Sequence, residues 1–361
     1  MKTKVLVVDD STVMRKLLAE IINSAPDLEV VGEAPDAHAA RELIKTLDPD
    51  VLTLDVQMPR MDGLEFLGRL MRLRPTRVVM VSAFTLAGSE TTLRALELGA
   101  IDFVSKPRAN NPAILKNYAE EVIEKIRAAA MAKLPSLVPA SLPAVAVEKK
   151  MDSRVSSASA APSVCVDQNI DRIVFVGAST GGTEALKSLL SEFPVDCPPT
   201  LVVQHMPEHF TASFAKRLDS LCAPRIIEAQ GGERVERGMV FIAPGHSHLQ
   251  IARQGGGYVI EIVCSPPVNR HRPSVDVLFD SAASVVGRRG VGVILTGMGK
   301  DGAQGLLRMR RAGARTFGQD EASSIVYGMP REAALIGAVE EAYGLGQLAQ
   351  HVLATAVKSV A

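Results

Sequence analysis

The sequence has no tryptophan, few other aromatic residues and no excess of charge of either sign. Its 361 residues include 40 Lys plus Arg and 40 Asp plus Glu, so the formal net charge is zero. A balanced charge creates no overall field that would attract nucleic acid or an anionic membrane, and we expect neither as a partner. Any partner must therefore be recognised at a local site.

Cysteines and long apolar runs are also scarce. Cys165, Cys197, Cys222 and Cys264 are too far apart for a zinc motif or a disulfide framework, so we expect free thiols in a reducing compartment. The apolar run Val5–Val8 is followed at once by two aspartates, and no run approaches the ~18 residues of a membrane span. These absences predict a cytoplasmic protein without direct membrane insertion.

The length suits two domains of ordinary size. In residues 2–127, and again in residues 169–361, short apolar runs alternate with amphipathic segments, which is typical of parallel strands joined by helices. Residues 128–168 contain several prolines and a serine-rich part without periodicity, which predicts a flexible linker. We therefore predict two doubly wound α/β domains, a first with a flavodoxin-like parallel sheet and a second that is Rossmann-like. The predicted strands are KVLVVDD, LEVVGEA, VLTLDV, RVVMVSA and AIDFVSK in the first domain, and RIVFVGA, TLVVQHM, MVFIAPG, YVIEIVC, GVGVILTGMG and ARTFGQD in the second.

Three carboxylates follow neighbouring predicted strands of the first domain. Asp9 and Asp10 end the first strand and Asp55 ends the third. Because the carboxyl ends of parallel strands meet at one crevice, these side chains should converge there. Clustered carboxylates repel one another, which raises a pKa or requires a hard cation such as Mg²⁺. With a metal and the positive charge of Lys106, one carboxylate can accept a phosphoryl group, and Ser82 supplies a hydroxyl nearby. The simpler alternative is that each aspartate only caps a helix.

These positions together resemble a response-regulator receiver domain over residues 2–127. The motifs are DD at Asp9 and Asp10, DVQMPRMDG from Asp55, Ser82 with Ala83, and Lys106 with Pro107. The resemblance implies that Asp55 is the phosphoacceptor. It further implies Mg²⁺ bound by Asp9, Asp10 and Asp55, phosphoryl contacts from Lys106 and Ser82, and a conformational switch formed by Ser82 and Phe103.

The stretch VFVGASTGGTEAL, residues 174–186, reads as a strand, a glycine turn and the start of a helix. A dinucleotide loop would need a glycine where Ser179 stands, and a Walker loop would need a lysine much nearer than Lys187. Gly177, Ser179 and Gly181 instead match G-x-S-x-G, a turn that exposes a serine at a helix N-terminus. The alternative is that Ser179 merely caps the following helix.

A nucleophilic serine needs a base and an orienting acid. His205 ends the next predicted strand and Asp301 follows a later one, so both can reach the crevice that holds Ser179. In a triad His205 would take the serine proton and Asp301 would orient the imidazole, and we assign the oxyanion to the backbone N–H groups of Thr180 and Met298. Taken singly, His205 could be an ordinary hydrogen-bonded histidine and Asp301 a helix cap.

The remaining histidines do not favour a metal site. His205 and His209 are four residues apart, but Pro207 between them disfavours the helix that would align them. His246 and His248 have no cysteine nearby and no obvious third ligand, so we expect no zinc.

The second domain resembles the catalytic domain of the chemotaxis protein-glutamate methylesterases, the CheB family. The matching motifs are VGASTGG around Ser179, VVQHM around His205, HRPSVDVLF from His271, LTGMGKDG around Asp301 and YGMPREA from Tyr327. The resemblance implies hydrolysis of glutamate γ-methyl esters, and deamidation of selected glutamines, on methyl-accepting chemotaxis receptors. It implies no cofactor for that reaction, phosphorylation of Asp55 by a chemotaxis histidine kinase, and a receiver that restrains the active site until then. We also expect the glycines around Ser179 to leave room for a receptor helix.

Two other functions stay open on the sequence. A response regulator whose output is DNA binding would need a basic surface, yet Lys plus Arg and Asp plus Glu nearly balance in residues 169–361, and no helix-turn-helix pattern is evident. A triad-bearing domain could instead act as a regulated adaptor on receptors, which turnover and serine labelling would distinguish from an enzyme.

Overall fold

The computed structural model describes residues 2–59, 61–82, 86–107, 111–134 and 172–357. The strands are β1 Thr3–Val8, β2 Leu28–Ala34, β3 Val51–Asp55, β4 Arg77–Ser82, β5 Asp102–Ser105, β6 Ile173–Ala178, β7 Thr200–Gln204, β8 Arg225–Glu228, β9 Met239–Ile242, β10 His248–Gln254, β11 Gly257–Val263, β12 Gly290–Ile294, β13 Arg315–Gln319 and β14 Glu341–Tyr343. The α-helices are α1 Thr12–Ser24, α2 Ala37–Leu47, α3 Gly63–Leu73, α4 Leu86–Glu97, α5 Pro112–Met131, α6 Gly182–Ser191, α7 Glu208–Leu221, α8 Val275–Val285, α9 Ala303–Arg311, α10 Met329–Leu335 and α11 Leu345–Val357.

The first domain contains a five-stranded sheet in the order β2-β1-β3-β4-β5, with every pair of neighbours parallel. The central strand β3 is buried along its whole length, as its apolar run VLTLD predicts. Helix α2 begins where the Asp36 carboxylate accepts hydrogen bonds from two backbone N–H groups, and it buries an apolar stripe. Because β1 and β3 are neighbours, Asp9 and Asp55 lie at the same edge of the sheet.

The second domain contains a seven-stranded parallel sheet in the order β14-β13-β12-β6-β7-β9-β8. The α/β class and the receiver-like strand order are confirmed. The predicted strand YVIEIVC, however, lies outside this sheet, because β11 pairs antiparallel with β10. Tyr258 and Ile260 on β11 are buried while their neighbours are more exposed, which is the one-faced burial of an antiparallel strand.

The first domain extends beyond residue 127, where we expected the linker to begin. Helix α5 continues through Met131, and Ala128, Ala129 and Ala132 are buried. Ala132 follows the helix, where its backbone N–H donates to the Ala129 carbonyl, and all three alanines pack in the core of the first domain. The remainder of the predicted linker, residues 135–168, lies outside the described residues, as does Cys165; Cys197, Cys222 and Cys264 are free thiols.

The two domains pack directly against each other. The rings of Phe103 at the end of the first sheet and Phe210 on α7 are 4.3 Å apart. The Glu97 carboxylate on α4 accepts hydrogen bonds from the Arg217 guanidinium on α7 and lies 3.5 Å from Lys187 Nζ on α6. Within the described part of the chain, no helix has the length and apolarity that crossing a membrane requires.

Candidate functional site

Three predicted site residues meet at one edge of the second sheet. Strands β12, β6 and β7 are adjacent, and Ser179 follows β6, His205 follows β7, and Asp301 lies beyond β12. The His205 backbone N–H donates to the carbonyl of Ala178 at 3.0 Å, so the ends of β6 and β7 are held in register. The three residues are 6%, 8% and 2% exposed. The sheet order therefore brings together residues that are far apart in sequence.

His205 and Asp301 form a direct, buried hydrogen bond. Nε2 of His205 lies 2.8 Å from Oδ2 of Asp301. Because a carboxylate only accepts, the imidazole proton is on Nε2 and the lone pair of the neutral ring is on Nδ1. That Nδ1 atom is buried and has no hydrogen-bond partner among the described residues. The imidazole is thus held by one nitrogen and free to take a proton at the other.

Ser179 shares a cavity of about 560 Å³ with His205. Helix α6 begins at Gly182 with Gly181 as its N-cap, so Ser179 is not the cap that the alternative required. Gly181 has a φ of 77°, the left-handed conformation that glycine adopts without strain. Across the described ranges the Ser179 hydroxyl makes no hydrogen bond, to His205 or to any other group. The structure therefore brings the two side chains to one cavity without joining them.

Asp301 is surrounded by hydrogen-bond donors. Its Oδ1 accepts from Ser274 Oγ at 2.8 Å and from Asn269 Nδ2 at 2.7 Å, and its Oδ2 accepts from the Val275 backbone N–H at 2.7 Å. Burial by itself would raise the pKa of Asp301, but the hydrogen bond and charge of His205, with the hydrogen bonds from Asn269 and Val275, lower that pKa below its ordinary value. Asp301 therefore remains ionised beside His205 at neutral pH.

Asp301 precedes helix α9 in the sequence, but its carboxylate caps helix α8. Helix α9 has Gly302 as its N-cap and no side-chain cap, whereas the Asp301 carboxylate accepts from the first N–H groups of α8. A negative charge at a helix N-terminus is favourable. The helix-cap alternative is thus correct for a different helix, and Asp301 both fixes α8 and binds His205.

Ser274→Ala should lower the free energy of unfolding by about 1–3 kcal/mol, because it removes one donor from a buried carboxylate. Denaturant unfolding of the full chain measures this change. Ser284→Ala is the matched control: Ser284 lies exposed on the same helix, where its hydroxyl donates to backbone carbonyls, and its loss should cost under about 0.5 kcal/mol. Equal effects of the two substitutions would contradict the importance of the bond to Asp301.

His271 lies against the His205 ring. The ring centroids are 3.8 Å apart and the planes are 12° from parallel. Burial, followed by the positive charge that His205 can carry, lowers the pKa of His271, so this second imidazole is neutral at neutral pH. A neutral ring stacked on His205 holds the imidazole plane in place. His271, Ser274 and Asn269 received no site role from the sequence, because they follow β11 in a stretch without periodicity.

Backbone N–H groups are available beside Ser179. Neither the Thr180 nor the Met298 N–H donates a hydrogen bond within the described parts of the chain. A Cβ added at Gly297 would lie 2.7 Å from Ser179 Cβ, so glycine is required for the backbone before Met298 to approach the serine. The Thr180 hydroxyl, however, donates to Asp102 Oδ2 of the first domain.

The glycines around Ser179 do not leave room for a substrate. A Cβ added at any of three of them would collide with protein atoms 2.2–2.7 Å away; these pairs are Gly177 with Val275, Gly181 with Ile325, and Gly182 with Gln204. The expectation that they admit a receptor helix was therefore wrong. They let neighbouring elements pack closely behind the serine.

His246 and His248, the second histidine pair considered for zinc, form hydrogen bonds within the protein. His248 Nε2 lies 3.1 Å from the Pro266 carbonyl, and its Nδ1 accepts from the Ser274 backbone N–H. His246 Nδ1 lies 2.7 Å from Ser247 Oγ. In the described ranges, the grouping with metal-ligand spacing is the acidic cluster of the first domain.

That acidic cluster consists of Asp9, Asp10 and Asp55, each with an oxygen within 4.8 Å of the others. Lys106 Nζ lies 2.9 Å from Asp9 Oδ2 and 2.8 Å from Asp55 Oδ2. Burial raises the pKa of Asp55, although Lys106 opposes this effect. For Lys106, burial alone would lower the pKa, but its bonds to the carboxylates of Asp55 and Asp9 outweigh burial and raise it. Three carboxylates around one ammonium leave a negative, oxygen-lined site that fits Mg²⁺.

The proposed switch residues connect this cluster to the second domain. Ser82 Oγ accepts from Thr92 Oγ1 on α4 at 2.8 Å, and Ala83, which completes the motif, lies outside the described residues. Phe103 is buried against Phe210 of α7. A conformational change at Ser82 can therefore alter the contacts between the domains through α4, which bonds to Ser82, and β5, which carries Phe103.

Helix α5 of the first domain forms a wall of the Ser179 cavity. Its contribution is one helical face, consisting of Asn117, Glu120, Glu121, Glu124 and Lys125. Lys125 Nζ lies 2.8 Å from Asp102 Oδ2, the atom that also accepts from Thr180. The first domain thus covers the serine of the second and contacts the residue beside it.

Known proteins match both domains. The family model described as CheB methylesterase matches residues 174–352, and the response regulator receiver domain model matches residues 5–118. A protein-glutamate methylesterase/protein-glutamine glutaminase of Dechloromonas aromatica is 66% identical over 98% of both chains, and one of Nitrosomonas europaea is 54% identical over 99% of this chain and 97% of its own. The crystal structure of the Thermotoga maritima CheB methylesterase catalytic domain is 36% identical, with a TM-score of 0.50, over 51% of this chain and 98% of that one.

Proposed function

The chain belongs to the CheB methylesterase family, and we infer from this membership that it is a protein-glutamate methylesterase activated by phosphorylation of its receiver domain. It hydrolyses glutamate γ-methyl esters, and deamidates specific glutamines, in chemotactic adaptation. Its substrates are methyl-accepting chemotaxis receptors. Methanol release from methylated receptors, with and without a phosphodonor, tests this function.

Ser179 acts as the nucleophile, and the hydrogen bond between His205 and Asp301 is the observation that carries this assignment. His205 Nδ1 takes the hydroxyl proton while Oγ attacks the ester carbonyl, and Asp301 stabilises the imidazolium that forms. The N–H groups of Thr180 and Met298 stabilise the oxyanion. The imidazolium returns its proton to the departing methoxide, which leaves as methanol. Water, activated by the same nitrogen, then cleaves the acyl-serine.

Glutamine deamidation follows the same steps, with ammonia as the leaving group. Both reactions are acyl transfers, and the side chains above together with water supply every proton and electron pair that they need. We therefore assign the ester hydrolysis no cofactor.

Asp55 accepts the phosphoryl group, with a chemotaxis histidine kinase as donor. Asp9, Asp10 and Asp55 would hold Mg²⁺, which would supply positive charge for the phosphoryl oxygens. Lys106 contacts the phosphoryl group, and its bond to Asp55 supports this role. Burial, which raises the pKa of Asp55, makes a compensating cation favourable.

Phosphorylation releases the second domain through Ser82 and Phe103. When Ser82 binds the phosphoryl group, its bond to Thr92 is lost, and Phe103 can leave Phe210 for the space that opens. Weaker contact at Phe210 then lets α5 leave the Ser179 cavity. The direct contact between the switch aromatic and the catalytic domain supports this route.

Glu97→Ala should raise the activity of the unphosphorylated chain about two- to fivefold, because partly exposed ion pairs of this kind contribute up to about 1 kcal/mol. The Glu97 carboxylate connects α4 to Arg217 and Lys187 of the second domain, so its loss favours the open arrangement. Methanol release without phosphodonor measures the change. Glu65→Ala removes an exposed pair within the receiver and should leave the basal rate unchanged. An unaltered basal rate in Glu97→Ala would contradict this role of the interface.

A further inference from the structure

Two arginines on the cavity rim have no anionic partner among the described residues. Arg270 and Arg272 flank His271 in the segment between β11 and α8, and both are exposed and line the cavity of Ser179. Neither forms an ion pair with a described carboxylate; Arg272 donates only to the Ser265 carbonyl, at 3.3 Å. Unpaired guanidinium groups beside a reactive serine are available to bind an anionic group of the substrate.

Helix α5 contributes three glutamates to the same cavity, beside Lys125, which pairs with Asp102. Glu120, Glu121 and Glu124 lie on the face of α5 that covers the site, and Glu124 Oε1 is 4.0 Å from His271 Nε2. Residues three and four apart share one side of a helix, so α5 presents a row of carboxyl groups to the cavity that the arginines also line. Burial raises the pKa of Glu121 to about 7. At neutral pH the Glu121 side chain is therefore uncharged in part of the molecules, and in that form it resembles a glutamine or a glutamate methyl ester. In the resting molecule a glutamate-bearing helix already lies over the serine.

The space beside α5 is too small for a second helix. An α-helix with side chains is ~10–12 Å across, so two turns occupy on the order of 1,000 Å³. The cavity measures about 560 Å³, which accommodates a few side chains only. A substrate helix therefore reaches Ser179 only after α5 has left, and it then faces the same two arginines.

We propose that Arg270 and Arg272 determine specificity by binding carboxylates that flank the target glutamate on a helical, acidic segment of the receptor. In the resting chain the glutamates of α5 line the same cavity, and the described residues show no ion pair between them and either arginine. This inference rests on the proposed function and defines the substrate of that site more narrowly. It requires no change in the chemistry at Ser179, since the arginines act by binding and orientation.

The test uses the full chain with Mg²⁺ and acetyl phosphate, so that the site is open. The double variant Arg270→Ala/Arg272→Ala should lose about fivefold or more in kcat/KM for methylated receptor, mainly through KM, because charges at an interface act on encounter and binding. The loss should shrink as salt rises from about 50 mM to about 500 mM. Hydrolysis of p-nitrophenyl acetate, an ester without carboxylates, should be unchanged, which shows that the variant folds.

Two further variants complete the test. Arg289→Ala removes an exposed arginine of the same domain outside this cavity and should behave as the wild type. Arg270→Glu/Arg272→Glu should prefer a receptor whose flanking acidic residues are replaced by lysine. An unchanged kcat/KM for receptor in the double alanine variant, or an equal loss on both esters, would overturn the inference. Absence of methanol release by the wild type would overturn the proposed function, and the inference with it.

Discussion

Ser179→Ala should abolish methanol release from methylated receptors, lowering the rate by about 10⁴-fold or more, as loss of the nucleophile does in other serine hydrolases. The alanine leaves His205 and Asp301 paired but provides no oxygen for attack. Removing a hydroxyl that makes no hydrogen bond within the described parts of the chain should scarcely alter the fold. The loss should therefore appear in kcat, with receptor binding retained.

Two controls separate chemistry from folding in that variant. Phosphorylation of Ser179→Ala by a small phosphodonor should proceed as in the wild type, because the acceptor lies in the other domain. Ser191→Ala, at the exposed end of the helix that follows Ser179, should keep full activity. Full activity in Ser179→Ala would remove this residue as the nucleophile, whereas receptor binding without turnover in the wild type would favour the adaptor function.

Asp55→Asn should eliminate the whole increase in activity that Mg²⁺ and a phosphodonor produce in the wild type. Coupling between two sites of one protein commonly amounts to about 5–150-fold, and an increase within this range is expected. Asparagine cannot form the acyl phosphate, so Ser82 and Phe103 keep their resting contacts. The measurement is methanol release by both proteins before and after addition of the phosphodonor.

The matched controls for this prediction are a metal chelator and a distant aspartate. Chelation of Mg²⁺ should reproduce the effect of Asp55→Asn in the wild type. Asp50→Asn alters an exposed carboxylate that accepts from the Lys4 backbone N–H, and activation should persist in that variant. Undiminished activation of Asp55→Asn would mean that the phosphodonor acts elsewhere.

The fold class was predictable because the parallel strands are nearly continuous apolar runs. The run VLTLD became β3, buried throughout, and LEVVGEA became β2 with the same bounds. The segment YVIEIVC is also apolar, but its partner β10 is a local neighbour in sequence, joined through two glycines with φ of 57° and 84°. The segment therefore forms a local hairpin with β10 and does not join the parallel sheet. Apolar composition alone could not distinguish a hairpin strand from a strand of the parallel sheet.

The sequence also indicated which residues meet at the serine, within limits set by tertiary structure. Ser179, His205 and Asp301 each follow a strand, and adjacent strands bring their side chains to one edge. Ser274 and Asn269 could not be predicted, because a loop without periodicity carries them to Asp301. They add to the hydrogen bonds of Asp301, whose pKa is lowered chiefly by the hydrogen bond and charge of His205.

Contacts between the domains were beyond sequence reasoning for a similar reason. Thr180 and Asp102 are 78 residues apart and belong to different cores, so no local pattern relates them. Phe103 and Phe210, which pack together, likewise belong to different domains and are related by no local sequence pattern. A resemblance could imply that the receiver restrains the catalytic domain, but only the structure identifies the residues that join the two domains.

The central claim is that a phosphorylated aspartate in one domain opens a serine esterase in the other. Methanol release from methylated receptors by the full chain, measured with and without phosphodonor in Mg²⁺, tests it most directly. The account predicts a low rate without phosphodonor and a several-fold higher rate with it. Equal rates in the two conditions would contradict the claim.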